Sequence, residues 1–283
     1  MKRIHVFVGG AAVMDSQYLI DYYTNYDEDG RLTRRFGTVE FLTTMRYIEK
    51  YIKAGDRVLE IGAATGRYSH TLARMGYKVD AVELLEHHIE IFKNNTQADE
   101  DITITQGNAM DLIGFPNNTY DITLILGPLY HLFNQKDKRQ AISEAIRVTK
   151  PGGIIFAAYV ISDIFILDEG FKRGTINIVD YLKIGLINEK TFSIDSKPEI
   201  LCFDLVRRED VDNVMSVFPT KRLHYVASDG YAYCMREAIE EMDNTMFDIY
   251  LKYHFAICER EDMSGMTSHS LDIFKKLSSN SRC

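Results

Sequence analysis

The sequence predicts an α/β fold built on a mostly parallel sheet, and three observations support this prediction. Segments with strand character alternate with helical segments between residues 56 and 160, which calls for right-handed crossovers between parallel strands. A glycine-rich turn joins the first strand to the helix that follows it. The segment at 120–126 is apolar almost throughout, as expected for a strand covered on both faces of the sheet.

Length, net charge and cysteine spacing narrow the possible domain organisation and the classes of molecule that the chain could bind. With 283 residues, 46% of them hydrophobic, the chain can form one large domain with an appended lid or two small domains. A net charge of −8 disfavours broad binding to a nucleic-acid backbone and favours small molecules. The four cysteines form no C-x-x-C pair, which argues against a zinc site or a disulfide framework and predicts a reducing cytoplasm.

The first residues do not predict a membrane segment. No apolar run in the chain is long enough to span a bilayer. Residues 1–13 place Lys2 and Arg3 before a short apolar stretch, which weakly resembles a signal peptide, and His5 interrupts that pattern. We treat 1–13 as an extension without an assigned role.

Two helices are predicted before the first strand. Tyr18, Leu19, Tyr22 and Tyr23 have helical spacing and precede a polar break at 27–30, and a second helix follows from about Thr38. The tyrosines are either core residues or contacts to a ligand.

The first strand ends in a turn that is typical of a cofactor cradle. Residues 58–61 form a short apolar strand that carries Glu60, the turn lies between Gly62 and Gly66, and a helix begins at about Arg67. Glycines let the backbone approach a ligand closely, and the start of a helix presents free N–H groups.

The turn does not fit a dinucleotide. The pattern G-x-G-x-x-G would place its glycines at Gly62, Ala64 and Arg67, so two of the three positions fail. Glu60 would also repel a pyrophosphate, whereas it suits a ligand that carries an amino group.

Two further strands end in polar residues. The second strand, 78–82, leads to Glu83, whose carboxylate can accept hydrogen bonds from two ribose hydroxyls or simply favour the start of the helix at 85–94. The third strand starts at Ile102 and stops at a Gly-Asn-Ala turn, where Asn108 can accept a hydrogen bond.

The loop after the fourth strand is expected beside the first strand, where α/β sheets place their ligands. Its residues Tyr130 and His131 are candidates to meet a substrate. His131 is either a general base or a histidine that packs the loop.

The remaining elements complete the sheet. A helix at 138–148 ends at Lys-Pro-Gly-Gly before a fifth strand at 154–160. Residues 161–205 are too long for a simple connection and are expected to form a lid. The rest of the chain predicts a helix at 208–217, a strand at 222–227, helices at 231–242 and 245–259, and a last strand at 270–276. Tyr250, His254 and Cys258 share a helix face, but without a third metal ligand core packing is the better interpretation, so no metal is predicted.

Three of these segments together resemble the class I S-adenosylmethionine-dependent methyltransferases. The segment VLEIGAATGRY resembles the first motif of that family, with Ala64 where the commoner pattern has its middle glycine. The Gly-Asn-Ala turn resembles the family's G-D-A segment, which contacts adenine, and Lys-Pro-Gly-Gly is shared as well. The resemblance implies a Rossmann-like sheet of seven strands in the order 3-2-1-4-5-7-6, with the last strand antiparallel.

The resemblance also implies the cofactor, S-adenosylmethionine, and the residues around it. The cofactor contacts are expected at Glu60, Gly62, Ala63, Gly66, Glu83, Leu84, Asn108, Ala109 and Leu126. The catalytic candidates are Tyr130 and His131, and the candidate substrate contacts are Tyr22, Tyr23 and Arg34. The implied organisation comprises the extension at 1–13, N-terminal lid helices at 14–54, a cofactor-binding core at 55–160, a substrate lid at 161–205, and a C-terminal part at 206–283 that completes the sheet.

The expected function is methyl transfer to a small molecule by in-line displacement. This reaction depends on the alignment of cofactor and acceptor more than on a fixed catalytic dyad.

Two alternative functions stay open. Ala64, Asn108 and the aromatic C-terminal part would also suit a methyltransferase-like binding or regulatory subunit. Arg31, Arg34 and Arg35 are the sole support for an RNA methyltransferase. The acceptor and the oligomeric state do not follow from the sequence.

Overall fold

The sheet has the expected order. The computed structural model describes residues 17–24, 26 and 28–278, so the extension at 1–13 lies outside the described residues. The strands lie in the order β3-β2-β1-β4-β5-β8-β7, and a short β6 pairs with the end of β5 off this path. The strands are β1 (Arg57–Ile61), β2 (Lys78–Glu83), β3 (Ile102–Gln106), β4 (Tyr120–Ile125), β5 (Thr149–Ile161), β6 (Leu205–Val206), β7 (Thr220–Ala227) and β8 (His269–Lys276).

This topology confirms the predicted fold class. Strands β1 to β5 are parallel, and β8 is antiparallel to both β5 and β7. With the two-residue β6 left out of the count, the order is the expected 3-2-1-4-5-7-6. The carboxyl ends of β1, β2 and β4 therefore meet at one edge of the sheet.

Helices cover both faces of the sheet. Those of the amino-terminal part are α1 (Gln17–Thr24), α2 (Glu28–Arg31) and α3 (Arg35–Tyr51), and those of the core are α4 (Arg67–Arg74), α5 (Glu86–Asn95) and α6 (Gln135–Val148). The later helices are α7 (Ser162–Phe165), which continues into a π-helical segment at Ile166–Lys172, α8 (Ile178–Lys183), α9 (Arg208–Met215), α10 (Arg236–Glu241) and α11 (Asn244–Ile257). No helix of the described residues is long and apolar enough to cross a membrane.

Several boundaries differ from the prediction, among them the starts of α6 (135 against 138), α10 (236 against 231) and β7 (220 against 222). For two others the structure shows the physical reason. Helix α3 begins at Arg35, three residues before the predicted start, because its first turn packs on α10, where Glu240 accepts a hydrogen bond from the Phe36 N–H at 3.0 Å. Strand β5 begins at Thr149 rather than Ile154, because Thr149 already pairs with Tyr120 and the register then shifts before Ile154. Such irregularities leave no signal in hydrophobic periodicity.

The C-terminal helices pack on α3. His254 is buried, and its Nε2 lies 2.9 Å from Thr43 Oγ1. The Cys258 sulfur lies 3.7 Å from the Tyr47 hydroxyl in the same core. The contacts of these side chains are thus those of core residues.

Candidate functional site

The glycine turn is fastened to the neighbouring strand. The N–H groups of Gly62 and Ala63 both donate to the Val82 carbonyl, at 2.8 and 3.0 Å. Gly62 and Gly66 have φ of +74° and +91°, values that favour glycine. Gly66 is also the N-cap of α4, so the turn leads directly into the start of that helix.

The turn and the acid of the second strand meet. The Ala64 N–H donates to Glu83 Oε2 at 2.8 Å, and the Leu85 N–H donates to Glu83 Oε1 at 2.9 Å. The Glu83 carboxylate is buried and thus held between the two backbone segments. Each carboxylate oxygen can accept more than one hydrogen bond, so Glu83 can still receive hydroxyl donors from a ligand.

Ala64 has a left-handed backbone, with φ of +48°. We expect Ala64→Gly to raise the free energy of unfolding by about 0.5–1 kcal/mol, because it removes the cost of this conformation, although glycine also gains entropy in the unfolded chain. Denaturation in urea measures the change. Ala63, which lies beside it at negative φ, is the matched control, and Ala63→Gly should lower stability. A loss of stability in Ala64→Gly would contradict this explanation.

A cleft of about 1240 Å³, its open mouth included, lies at the carboxyl ends of β1, β2 and β4. Most of the predicted site residues line it: Tyr23, Glu60, Gly62, Ala63, Glu83, Leu84, Asn108, Ala109, Leu126, Tyr130 and His131. Three predicted site residues, Gly66, Tyr22 and Arg34, are not among the residues that line the cleft, although Thr65 and Arg67 on either side of Gly66 are. Tyr22 packs against the rings of Tyr26 and Phe203, and Arg34 is exposed before the first turn of α3.

Glu60 is a second buried carboxylate in the cleft, and it accepts a hydrogen bond from the Ser69 hydroxyl. Burial raises the pKa of Glu60 to about 8, against the opposing effect of Ser69, and the nearby Glu83 raises it further. A cationic group of a ligand would favour the ionised form.

His131 is held by two hydrogen bonds. Its Nδ1 lies 3.1 Å from the Cys202 carbonyl, and its Nε2 lies 2.9 Å from the Tyr23 hydroxyl. Burial lowers the pKa of His131 to about 4, so the ring is neutral near pH 7. Burial also raises the pKa of Tyr130 well above its usual range, which keeps that phenol protonated.

Asn108 has a local partner. Its Oδ1 accepts a hydrogen bond from the Met110 N–H at 2.9 Å, and the second lone pair of that oxygen is left for a ligand. Asn108 and Ala109 line the cleft after β3, on the far side of β2 from the glycine turn.

Glu28, Arg31 and His88 are among the cleft residues that sequence reasoning did not assign to the site. Arg31 donates to Glu28 at 3.0 Å and to Glu40 at 2.8 Å, so it is engaged inside the protein rather than in a basic surface. Glu28 and Arg31 have the i,i+3 spacing of a local helical ion pair, whereas no sequence signal indicated the pairing of Arg31 with Glu40. For His88 a signal existed, since it follows Glu83 by five residues, on the helix that begins after that acid.

A cluster beside Arg31 has residue types that bind metals. Glu40, Asp229 and His269 place ligand atoms within 4.8 Å of one another. Arg31 already donates to Glu40 Oε2, the same oxygen that lies 3.5 Å from His269 Nδ1. A cation there would be repelled by the guanidinium, and we assign no metal to the cluster.

The chemistry of the cleft fits S-adenosylmethionine. Two buried carboxylates, Glu60 and Glu83, suit its amino group and its ribose hydroxyls. His88 is buried, lines the cleft, and has an Nε2 without a hydrogen-bond partner among the described residues, which a polar ligand group would satisfy. A dinucleotide fits poorly, because its pyrophosphate would face the Glu60 carboxylate at the glycine turn.

Comparison with known proteins agrees with this geometry. Residues 58–153 match the family described as "Methyltransferase domain". The chain is 31% identical over 104 residues to a demethylmenaquinone methyltransferase of Tropheryma whipplei (strain Twist), which is 36% of this chain and 41% of the relative. It is 30% identical over 118 residues to a glycine/sarcosine N-methyltransferase of Aphanothece halophytica, which is 41% of this chain and 44% of the relative. The chain thus spans less than half the length of these curated relatives.

A solved structure agrees with the fold over a longer span. An S-adenosylmethionine-dependent methyltransferase from Methanosarcina mazei has a TM-score of 0.52 at 16% identity, over 82% of this chain and 97% of that one. At this identity the similarity shows the fold. Residues 58–153 thus form a methyltransferase domain, the fold is that of the class I S-adenosylmethionine-dependent methyltransferases, and both indicate S-adenosylmethionine as the cofactor.

Proposed function

We propose that the chain transfers a methyl group from S-adenosylmethionine to a small-molecule acceptor. The observation that carries this proposal is the direct hydrogen bond between the Ala64 N–H and Glu83, which joins the glycine turn and the strand-tip acid in one cleft. The relatives support a small acceptor, since their names specify demethylmenaquinone and glycine or sarcosine.

The chain's own residues have separate tasks in this proposal. Glu83 accepts hydrogen bonds from the ribose hydroxyls, Glu60 receives the amino group, and Asn108 and Ala109 face the adenine. The cofactor supplies an electrophilic methyl group on a sulfonium. Tyr23, Tyr130 and His131 then border the space left for the acceptor, and the protein's contribution is to orient the acceptor and to exclude water.

Calorimetric titration tests the proposal at its first step. We expect saturable binding of S-adenosylmethionine and no binding of NAD, because the cleft presents the Glu60 carboxylate at the glycine turn, where a pyrophosphate would lie. Binding of NAD alone would overturn the proposal. A panel of phenols, amines, thiols and carboxylic acids, with methylated products detected by mass spectrometry, then identifies the acceptor.

The buried Glu60 predicts proton release on binding. Its pKa of about 8 leaves it mostly protonated at pH 7, and the cofactor's ammonium group should lower that pKa. Affinity should therefore rise with pH, by about fivefold between pH 6.5 and 7.5, and level off near pH 8, where the amino group of the ligand loses its own proton. Titrations in buffers of different ionisation enthalpy measure the released proton. Glu60→Gln should abolish the release, and an unchanged proton count in that variant would contradict the assignment.

A further inference from the structure

The hydrogen bonds of His131 fix which nitrogen carries the proton. The Cys202 carbonyl can only accept, so Nδ1, at 3.1 Å from it, must be the N–H. Nε2 then has the lone pair and accepts the proton of the Tyr23 hydroxyl at 2.9 Å. The Tyr23 oxygen keeps its own lone pairs, and both side chains line the cleft.

Helix α1 presents Tyr23 in a fixed position. The Tyr18 hydroxyl on the same helix donates to the His131 carbonyl at 3.1 Å, so two hydrogen bonds join α1 to this one residue. The Tyr23 ring also makes edge contacts with His88 and His131. The hydroxyl of Tyr23 is thus held between the imidazole and the cleft.

We propose that Tyr23 and His131 form a relay that takes the proton from a phenolic hydroxyl of the methyl acceptor. This inference rests on the proposed function. As the acceptor oxygen bonds to the methyl carbon, the carbon–sulfur bond breaks and its electron pair stays on sulfur. The phenolic proton passes to the Tyr23 oxygen, and the Tyr23 proton passes to His131 Nε2.

Charge balance favours this path in a buried cleft. The sulfonium loses its positive charge as the imidazole gains one, so the number of charges in the cleft does not change. The titratable groups that face His131 are Tyr23, Tyr130, Glu83 and His88. The negative charge of Glu83 favours protonation of the His131 ring, whereas burial and His88 disfavour it. The low pKa of His131 then returns the proton to water when the product leaves.

The same reasoning selects the class of acceptor. A base as weak as His131 takes a proton more readily from a phenol, with a pKa of about 10, than from the less acidic hydroxyl of an aliphatic alcohol. An ammonium acceptor would bring a second cation beside the sulfonium. Leu19, Leu32, Tyr23 and Tyr130 give this part of the cleft apolar and aromatic surface beside the Arg31–Glu28 ion pair, and this surface suits an aromatic ring.

The first test measures binding without turnover. With S-adenosylhomocysteine present, phenol should bind the wild type about tenfold more tightly than anisole, which lacks the hydroxyl proton. Tyr23→Phe should abolish this preference. Tyr18→Phe is the matched control, because it also removes a hydrogen bond from α1 to residue 131, and it should keep the preference. Equal binding of phenol and anisole by the wild type overturns the relay.

The second test compares methylation rates of phenol and 4-nitrophenol at pH 8, where 4-nitrophenol is already ionised. His131→Gln should slow phenol about 100-fold and 4-nitrophenol only a few-fold, because an ionised acceptor needs no base. Tyr18→Phe should slow both substrates equally. An equal loss for both substrates in His131→Gln would reduce the residue to a positioning role and overturn the relay.

The two proposals fail differently. If the wild type binds S-adenosylmethionine and methylates amines or thiols but no phenol, the relay is wrong and the proposed function stands. If the wild type does not bind S-adenosylmethionine, the proposed function is wrong, and the proton relay, which depends on that function, is wrong as well.

Discussion

Glu83→Ala should weaken binding of S-adenosylmethionine at least 100-fold. The carboxylate accepts the N–H groups of Ala64 and Leu85, and in our proposal it also accepts two ribose hydroxyls. Hydrogen bonds to a charged group contribute about 1.5–3 kcal/mol each, so loss of the two ribose bonds alone gives a factor of about 100 or more. Isothermal titration calorimetry measures the change.

Two further variants separate binding from folding. Glu83→Gln keeps the length of the side chain and one carbonyl acceptor for a backbone N–H, so it should lose less stability than Glu83→Ala and still bind at least tenfold more weakly, by about 1.4 kcal/mol. Glu86→Ala changes an exposed acid in the first turn of α5 and should bind normally. Wild-type affinity in Glu83→Gln and Glu83→Ala would remove Glu83 from the cofactor site.

Gly62→Ala should lower the free energy of unfolding by about 3 kcal/mol. Placing a side chain on a left-handed backbone costs about 1–2 kcal/mol, and overpacking the new methyl group costs about 1–3 kcal/mol. Gly62 has φ of +74°, and a Cβ built there would lie 2.6 Å from both Cδ and Cγ of Pro128. Pro128 follows β4, so the clash would separate the two loops that form the floor of the cleft. Urea denaturation measures the stability, and calorimetry should show a parallel loss of cofactor binding.

Gly55→Ala is the matched control for the backbone term. Gly55 has φ of +84°, yet a Cβ there meets nothing within 4 Å, so the substitution should cost only about 1 kcal/mol. The difference between the stability losses of Gly62→Ala and Gly55→Ala gives the cost of the steric clash with Pro128. Equal stability changes would show that the turn tolerates the extra methyl and that the close approach of Gly62 to Pro128 has no structural role.

The core of the fold could be predicted because its signals are local. The strand predicted at 58–61, the glycine turn and the polar strand ends each depend on neighbouring residues in the sequence, and parallel strands bring their carboxyl ends together by topology alone. That is why Glu60, Glu83 and Asn108, far apart in sequence, could be expected in one cleft.

The outer wall of the cleft could not be predicted in this way. Arg31 and Glu28 reach it through ion pairs, and the Tyr23–His131 contact joins residues 108 positions apart that no motif links. The carbonyl that orients His131 belongs to Cys202, near the end of the long insertion at 161–205. Hydrophobic periodicity in this insertion does not indicate which of its residues face the cleft. Such contacts depend on tertiary packing.

A crystal structure with bound S-adenosylhomocysteine tests the central claim most directly. The account predicts both ribose hydroxyls within hydrogen-bond distance of the Glu83 carboxylate, with the amino acid part of the ligand passing the glycine turn towards Glu60. A nucleoside bound elsewhere in the chain, or bound in the cleft with its ribose turned away from Glu83, would contradict it.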